Sequence, residues 1–307
     1  MAGMFAPEVQ EGPIEPARRI VEATRAKAQM TAQKAIDLDP QHPGGYMALA
    51  TASLDEGGRY AQSEDLFLKA LALDPNDPEA LQSYAGFLLR VGRIKESLVA
   101  FEKLRTLDAL VRVYQIAPAR VMLSTGQYDD IIRMLEAIPQ SEGYIFRDIY
   151  LARAYAAQGR FSDAADLILN FRAELAPRWR VDAAAFETVA RLLRSAPAKV
   201  KNPKALPSLG KLGSEFSFVY LYIAPERFLD YYDRELQIHF RADFSKGSWD
   251  PDAAVVRKTP RFKKFVRDAG LVATTGVPAA GPISAIPPPA TISCAIRGTG
   301  WATSSQN

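Results

Sequence analysis

The chain has 307 residues, a net charge of +3, 48% hydrophobic residues and 24% charged residues. That is the mix of a soluble globular protein of one to three domains; it excludes a collagen-like chain, a disulfide framework and disorder throughout. One cysteine, Cys294, and two histidines, His42 and His239, leave little for zinc sites or histidine-based acid–base chemistry.

The opening MAGMFAPEVQEGPIEP lacks a basic region followed by an apolar run, so no secretory signal is expected. No stretch reaches the roughly 20 apolar residues that span a bilayer, and a cytoplasmic protein is the default. EPARRIVEATRAKAQMTAQKAIDLDP predicts one helix from about Pro16 to Leu38, with Ile20, Ala28, Ala32 and Ala35 as its apolar positions. It has no clear partner helix before it. The chain therefore reads as starting inside a structural unit, as a piece of something longer.

From Gly58 onward four strings recur: GRY at Gly58, GRI at Gly92, GQY at Gly126 and GRF at Gly159, spaced 34, 34 and 33 residues apart. A period near 34 predicts stacked helix–turn–helix units. Each glycine ends one apolar helical pattern in the left-handed conformation and precedes another. The clearest unit runs from Pro78 to Leu104. Leu81, Tyr84, Ala85 and Leu88 share a face on its first helix. Ile94, Ser97, Leu98, Phe101 and Leu104 answer them on the second, with Ala85 and Ser97 small where the helices cross.

The other units match less evenly. The unit from about Gly44 to Pro75 carries an extra residue in DEGG, then a clean second helix with Tyr60, Ser63, Phe67 and Ala70. In the third unit Pro118 falls inside the first helix, which is expected to be kinked or to start late. The fourth is regular again, with Leu151, Ala152, Tyr155, Phe161 and Ala164.

These spacings, glycines and DP endings resemble the tetratricopeptide repeat family over roughly residues 28–177. The resemblance implies an all-α, right-handed superhelical solenoid of antiparallel helix pairs. It also implies a concave groove lined by set positions of each first helix: Gln82, Leu89 and Arg90; Ile116, Arg120 and Leu123; Phe146, Ile149 and Arg153, with Tyr150 beside them. Three arginines, Arg90, Arg120 and Arg153, would face one groove. Arginine pairs bidentately with carboxylates, so an acidic or C-terminal peptide is one expected ligand. Arginines that are solvated or paired within the chain are the competing expectation. The Lys and Asn of the familiar chaperone-tail clamp are missing.

Beyond Pro177 the glycine period stops. VDAAAFETVARLLRSA predicts an amphipathic helix from Val181, followed by a Lys/Pro-rich linker, PAKVKNPKALPSLGKLG. FSFVYLY alternates enough for a strand, but a helix is expected because a helical pair would extend the stack. Pro225 and Glu226 predict a helix start. Thr259, Pro260 and Gly270 bracket a last helix. That helix carries Arg257, Lys258, Arg261, Lys263, Lys264 and Arg267 opposite Phe262, Phe265 and Val266. It reads as the solvated face of a packed terminal helix, with an anionic surface partner as the second reading.

VRKTPRFKKFVRDAGLV resembles the closing segment of bacterial repeat proteins that follow a nucleotide-cyclase or winged-helix DNA-binding domain. This resemblance implies an alternative function, a regulatory C-terminal module of such a protein. The likeness breaks after Val272. The tail from Ala273 to Asn307 is rich in Ala, Pro, Thr, Ser and Gly, and is expected to be disordered. With free third bases its codons can also be read two bases on, giving an aromatic ending and a stop where Ile296 meets Arg297. A frame-shifted ending is therefore expected, and the coding sequence decides it.

No nucleophile–base set can be assembled, and DEGGRY lacks the Lys-Ser/Thr of a phosphate-binding loop. His42 reads as a solvated turn residue, His239 as structural, and Asp129 and Asp130 as helix-start acids. Cys294 reads as incidental. The domain plan is an N-terminal partial repeat (1–43), a repeat solenoid (44–177), a divergent helical region (178–272) and a tail (273–307). The expected function is a non-catalytic protein-interaction scaffold. It needs no cofactor or metal, and its partner is a protein or peptide, acidic in character, rather than nucleic acid or membrane.

Overall fold

The computed structural model describes residues 9, 12–54, 59–107, 110–139, 145–170, 183–198, 201–206, 214–239 and 247–271. Among them every element is helical. In chain order these are α1 (Ile14–Leu38), α2 (Pro43–Ser53), α3 (Tyr60–Leu73), α4 (Pro78–Arg90), α5 (Ile94–Leu107), α6 (Arg112–Thr125), α7 (Tyr128–Glu136), α8 (Ile145–Ala157) and α9 (Phe161–Asn170). Then follow α10 (Ala183–Ser195), α11 (Val219–Ile223), α12 (Asp230–Gln237), α13 (Ala254–Arg257) and α14 (Pro260–Asp268).

The repeat is built as its residues dictate. Asp77 caps α4, its carboxylate accepting from the Ala80 amide at 2.7 Å, and Pro78 takes the first helical position, where its missing N–H costs nothing. The helix ends at Gly92, whose φ of +80° reverses the chain, and the Arg93 amide then donates to the Leu88 carbonyl. Gly126 and Gly159 repeat this turn at φ +73° and +76°. Helices pair as α2 with α3, α4 with α5, α6 with α7 and α8 with α9. First helices of neighbouring units also touch, α2 with α4 and α6 with α8, which makes a stack rather than a string of separate hairpins.

Inside the second unit, Leu81, Tyr84, Ala85, Leu88, Ser97, Phe101 and Leu104 are all buried. Ser97 Oγ donates to the Ala85 carbonyl at 2.7 Å, so the two small residues do meet at the crossing. Tyr84 donates to Glu64 of the preceding unit at 3.1 Å, and Arg93 pairs with the same carboxylate.

Four expectations are corrected. α6 is continuous from Arg112 and in register with α4, so Pro118 does not delay its start. Pro118 is buried among Ile116, Ala117 and Ala119, and that burial offsets the lost hydrogen bond. Pro225 opens a single 3-10 turn, Pro225–Arg227, and the α-helix begins only at Asp230. His42 is not merely a solvated turn residue, because its ring accepts from the Gly44 amide at 3.1 Å and caps α2.

The fourth correction concerns α1, whose outer half is partnered from the far end of the sequence. Ala17 and Val21 bury against Val9 and Ile238. Arg18 donates to the Gln237 carbonyl, and Arg25 to that of His239 at 2.9 Å. FSFVYLY is helical as expected, a 3-10 turn at Ser214–Phe216 followed by α11. The last described residues reach back to the first unit, where the Tyr60 hydroxyl donates to the Ala269 carbonyl at 3.1 Å. Gly58 with DEGG, Pro177, Val181, much of the linker and the tail 273–307 lie outside the described residues.

Ala85 has no exposed surface. Ala85→Leu should overpack the α4–α5 crossing and lower stability by about 1–3 kcal/mol in denaturant titration. A loss of only a few tenths would place the crossing elsewhere.

Candidate functional site

The residues expected to line the groove are mostly covered. Leu89, Arg90, Ile116, Leu123, Ile149, Tyr150 and Arg153 are buried, Arg120 and Phe146 are half-buried, and Gln82 is exposed. Of these, Arg153 is met by the chain's own segment Gly247–Ala253, which also runs along the turns at Gly92 and Gly126. The segment enters through Gly247, whose φ of +107° needs a glycine and which packs against the Phe228 ring and Arg153.

Asp250 is the centre of the contact. Arg153, from α8, donates to one carboxylate oxygen at 2.6 Å, and Ser124, from the end of α6, donates to the other at 3.3 Å. Arginine and aspartate are only 4% and 7% exposed. Burial alone would lower the Arg153 pKa, but Asp250 more than offsets it and the guanidinium is held charged above its ordinary value. From the basic helix region, Arg257 donates to the Ser248 and Asp250 carbonyls at 2.8 and 2.7 Å, fixing the backbone of the segment.

Asp252 makes the second acidic contact. The Tyr222 hydroxyl donates to it at 2.9 Å and the Tyr128 hydroxyl at 3.2 Å. Burial pushes the Asp252 carboxyl above the usual carboxylate range, and the two phenols pull it only partly back. Alternating with the acids, two rings rest on turn glycines. A Cβ at Gly92 would lie 3.6 Å from the Trp249 ring, and one at Gly126 would lie 3.2 Å from Pro251. At Gly159, the next turn in the series, nothing stands within 4 Å. That turn opens on a cleft of about 650 Å³ lined by Phe161, Arg194 and Pro197 among others.

Arg153 is thus placed on a carboxylate, and Arg120 lies across α4, its guanidinium 3.8 Å from where a Cβ on Gly86 would sit. The basic helix presents a solvated face as expected, with Phe262 and Phe265 buried opposite it and Arg257, before the helix, half-buried. Arg261 pairs with Asp230 and Asp233 at 2.8 and 2.6 Å, whereas Lys258, Lys263 and Arg267 are exposed. Asp129 and Asp130 sit in the first turn of α7, and Asp130 pairs with Arg133. Among the described residues no cluster of three or more His, Cys, Asp or Glu could hold a metal, and no helix is long and apolar enough to cross a membrane.

Sequence reasoning missed Trp249, Asp250, Asp252 and Tyr222. The string SWDPD did carry a signal, two acids flanking a proline in a chain expected to point three arginines into one groove. Nothing in one sequence says that the string folds back onto that groove.

Two outcomes follow. Gly126→Ala and Gly159→Ala both strain a left-handed turn, by about 1–2 kcal/mol, but only the first also crowds Pro251. Gly126→Ala should therefore lower stability more than Gly159→Ala in parallel denaturant titrations, and equal losses would mean that Pro251 is not packed there. Burial also raises the phenol pKa of Tyr128, Tyr222, Tyr231 and Tyr84, and pushes those of Tyr155 and Tyr220 up to about 12. Their folded values lie above the unfolded value of about 10. Their stabilising contribution is complete below that pH and is lost as the pH rises through the folded values. Phenolate absorbance and the helical circular dichroism signal, followed together, should change together above pH of about 10.

The repeat profile described as tetratricopeptide repeat matches residues 66–98, which span the second half of α3, all of α4 and the start of α5. Cellulose synthase operon protein C of Xanthomonas axonopodis pv. citri (strain 306) is 32% identical over 144 residues, covering 44% of this chain and 9% of that protein. The chain thus matches only a small part of the length of this curated relative. The match places a tetratricopeptide repeat at residues 66–98, and the consecutive helix pairs are those of a tetratricopeptide-like all-α solenoid; such repeats indicate a protein–protein interaction module.

Proposed function

We propose that the repeats form a non-catalytic receptor for an acidic, extended peptide, bound on the face that carries Arg153, Ser124 and Tyr128. The observation that supports this reading is Asp250, an acidic side chain already seated on Arg153 at 2.6 Å in a buried contact. The surrounding residues supply what such a ligand needs. A guanidinium and hydroxyls donate to carboxylates, and the bare backbone of the turn glycines accepts rings. Gln82, Leu89, Arg90, Ile116, Arg120, Leu123, Phe146, Ile149 and Tyr150 belong to the same proposed face. Its ligand is a protein segment, because the contacts repeat with the helical units and so read a chain rather than a small molecule.

The test uses the full chain carrying Asp250→Asn and Asp252→Asn. A labelled peptide with the sequence of residues 247–253, GSWDPDA, is titrated in, followed by its form with both acids as asparagine. The acidic peptide should bind at least about tenfold more tightly, a preference of ~1.4 kcal/mol, and Arg153→Met in the same chain should remove the preference. Equal binding of the two peptides would defeat the reading.

A further inference from the structure

We propose that Trp249–Asp252 is an internal ligand of the repeat groove, displaced by a partner segment of the same aromatic–Asp–Pro–Asp chemistry. This rests on the receptor reading above and adds what occupies the receptor at rest.

The segment meets the repeats in alternation. Trp249 lies on the turn at Gly92, Asp250 on Arg153 and Ser124, Pro251 on the turn at Gly126, and Asp252 on Tyr128 and Tyr222. The two rings, two residues apart in the segment, rest on turns one 34-residue unit apart, and the acids between and after them reach Arg153, Ser124 and the two phenols. The glycines matter because a left-handed turn without a Cβ offers flat backbone to a ring. Rings and acids at the wrong parity would put carboxylates on the turns and leave Arg153 without its anion. The face therefore selects order as well as charge.

Three features mark the segment as exchangeable. It has little regular structure, a single 3-10 turn at Pro251–Ala253, so releasing it does not require an α-helix to melt. Its rim is open to solvent: Pro251 is exposed, and Trp249 and Asp252 are half-buried. Its fit is also incomplete, because Arg153 Nε, Ser248 Oγ and Trp249 Nε1 are buried without a hydrogen-bond partner. A competing peptide can start from the exposed edge and replace the carboxylates one at a time. Phe262 and Phe265 of α14 stay in the main core and keep the released segment tethered.

The experiment compares the unaltered full chain with the Asp250→Asn, Asp252→Asn chain, both titrated with labelled GSWDPDA peptide and read by fluorescence anisotropy. The unaltered chain should bind at least about tenfold more weakly, because its own segment holds the site. If both chains bind the peptide with the same affinity, the segment does not compete and the proposal is overturned, while the receptor reading stands. If neither chain binds it, the receptor reading falls and the proposal with it. Should the double variant lose its helical signal, Asp252→Asn alone, which keeps the Arg153–Asp250 pair, is compared with the unaltered chain. Tighter binding by that variant supports displacement and unchanged binding overturns it.

Discussion

The ion pair between Arg153 and Asp250 is the constraint on which the arrangement of the two halves depends. Removing two charges from water costs several kcal/mol for each ion, and the pair recovers this only through close geometry and added hydrogen bonds. Here the added bonds come from separate parts of the chain. Ser124, from the third unit, donates to the carboxylate, and Arg257, at the end of α13, holds the backbone carbonyl of Asp250. Once Asp250 is fixed on α8, the segment around it has little freedom. Trp249 and Pro251 must fall on the neighbouring turns, and α14 is carried back toward the first unit, where Ala269 meets Tyr60. A solenoid held by neighbour contacts alone would have no such link between its ends.

The same logic explains why α1 is ordered along its whole length. Its inner half packs on α2 as a second helix of a unit would, but its outer half has no repeat helix beside it among the described residues. The backbone carbonyls of Gln237 and His239 take the guanidinium groups of Arg18 and Arg25 instead, and His239 pairs with Glu22 at 2.9 Å. His239 can present its carbonyl this way because its φ of +54° turns the chain just after α12. Long-range bonds to carbonyls thus do at this end what neighbouring units do in the middle.

The repeats were legible because they are local. A glycine every 34 residues, a proline at a helix start and small residues at a crossing each act within one unit, and Gly92, Pro78, Ala85 and Ser97 stand where their chemistry required. Pro118 misled only about where its helix starts, and for the same reason. Its local cost is real, but the burial of its helix is a property of the stack, and the stack outweighs the residue. The occupation of the groove was not legible. Arg153 and Asp250 are 97 residues apart, and Tyr128 and Asp252 are 124 apart. Pairings over such distances are set by the curvature of the assembled units and by where the divergent region returns, neither of which leaves a periodic trace in sequence.

The seam between the repeats and their own segment differs in kind from the contact inside a unit, and shares its phenol, carboxylate and guanidinium chemistry with the contact of Tyr84 and Arg93 on Glu64 between the first two units. Between α4 and α5 the contact is mostly apolar, and Ser97 at the crossing is matched by the Ala85 carbonyl. Around Ser248 and Trp249 the contact is carried by carboxylates, phenols and guanidinium groups, and polar atoms remain buried without partners, each at a cost of about 1–3 kcal/mol. A purely structural core would gain by replacing such groups with apolar ones of similar shape. Polar specificity of this kind is costly for stability and useful for recognition, since a wrong ligand leaves Arg153 desolvated and unpaired. The seam is therefore held by polar pairs whose two sides come from distant parts of one chain.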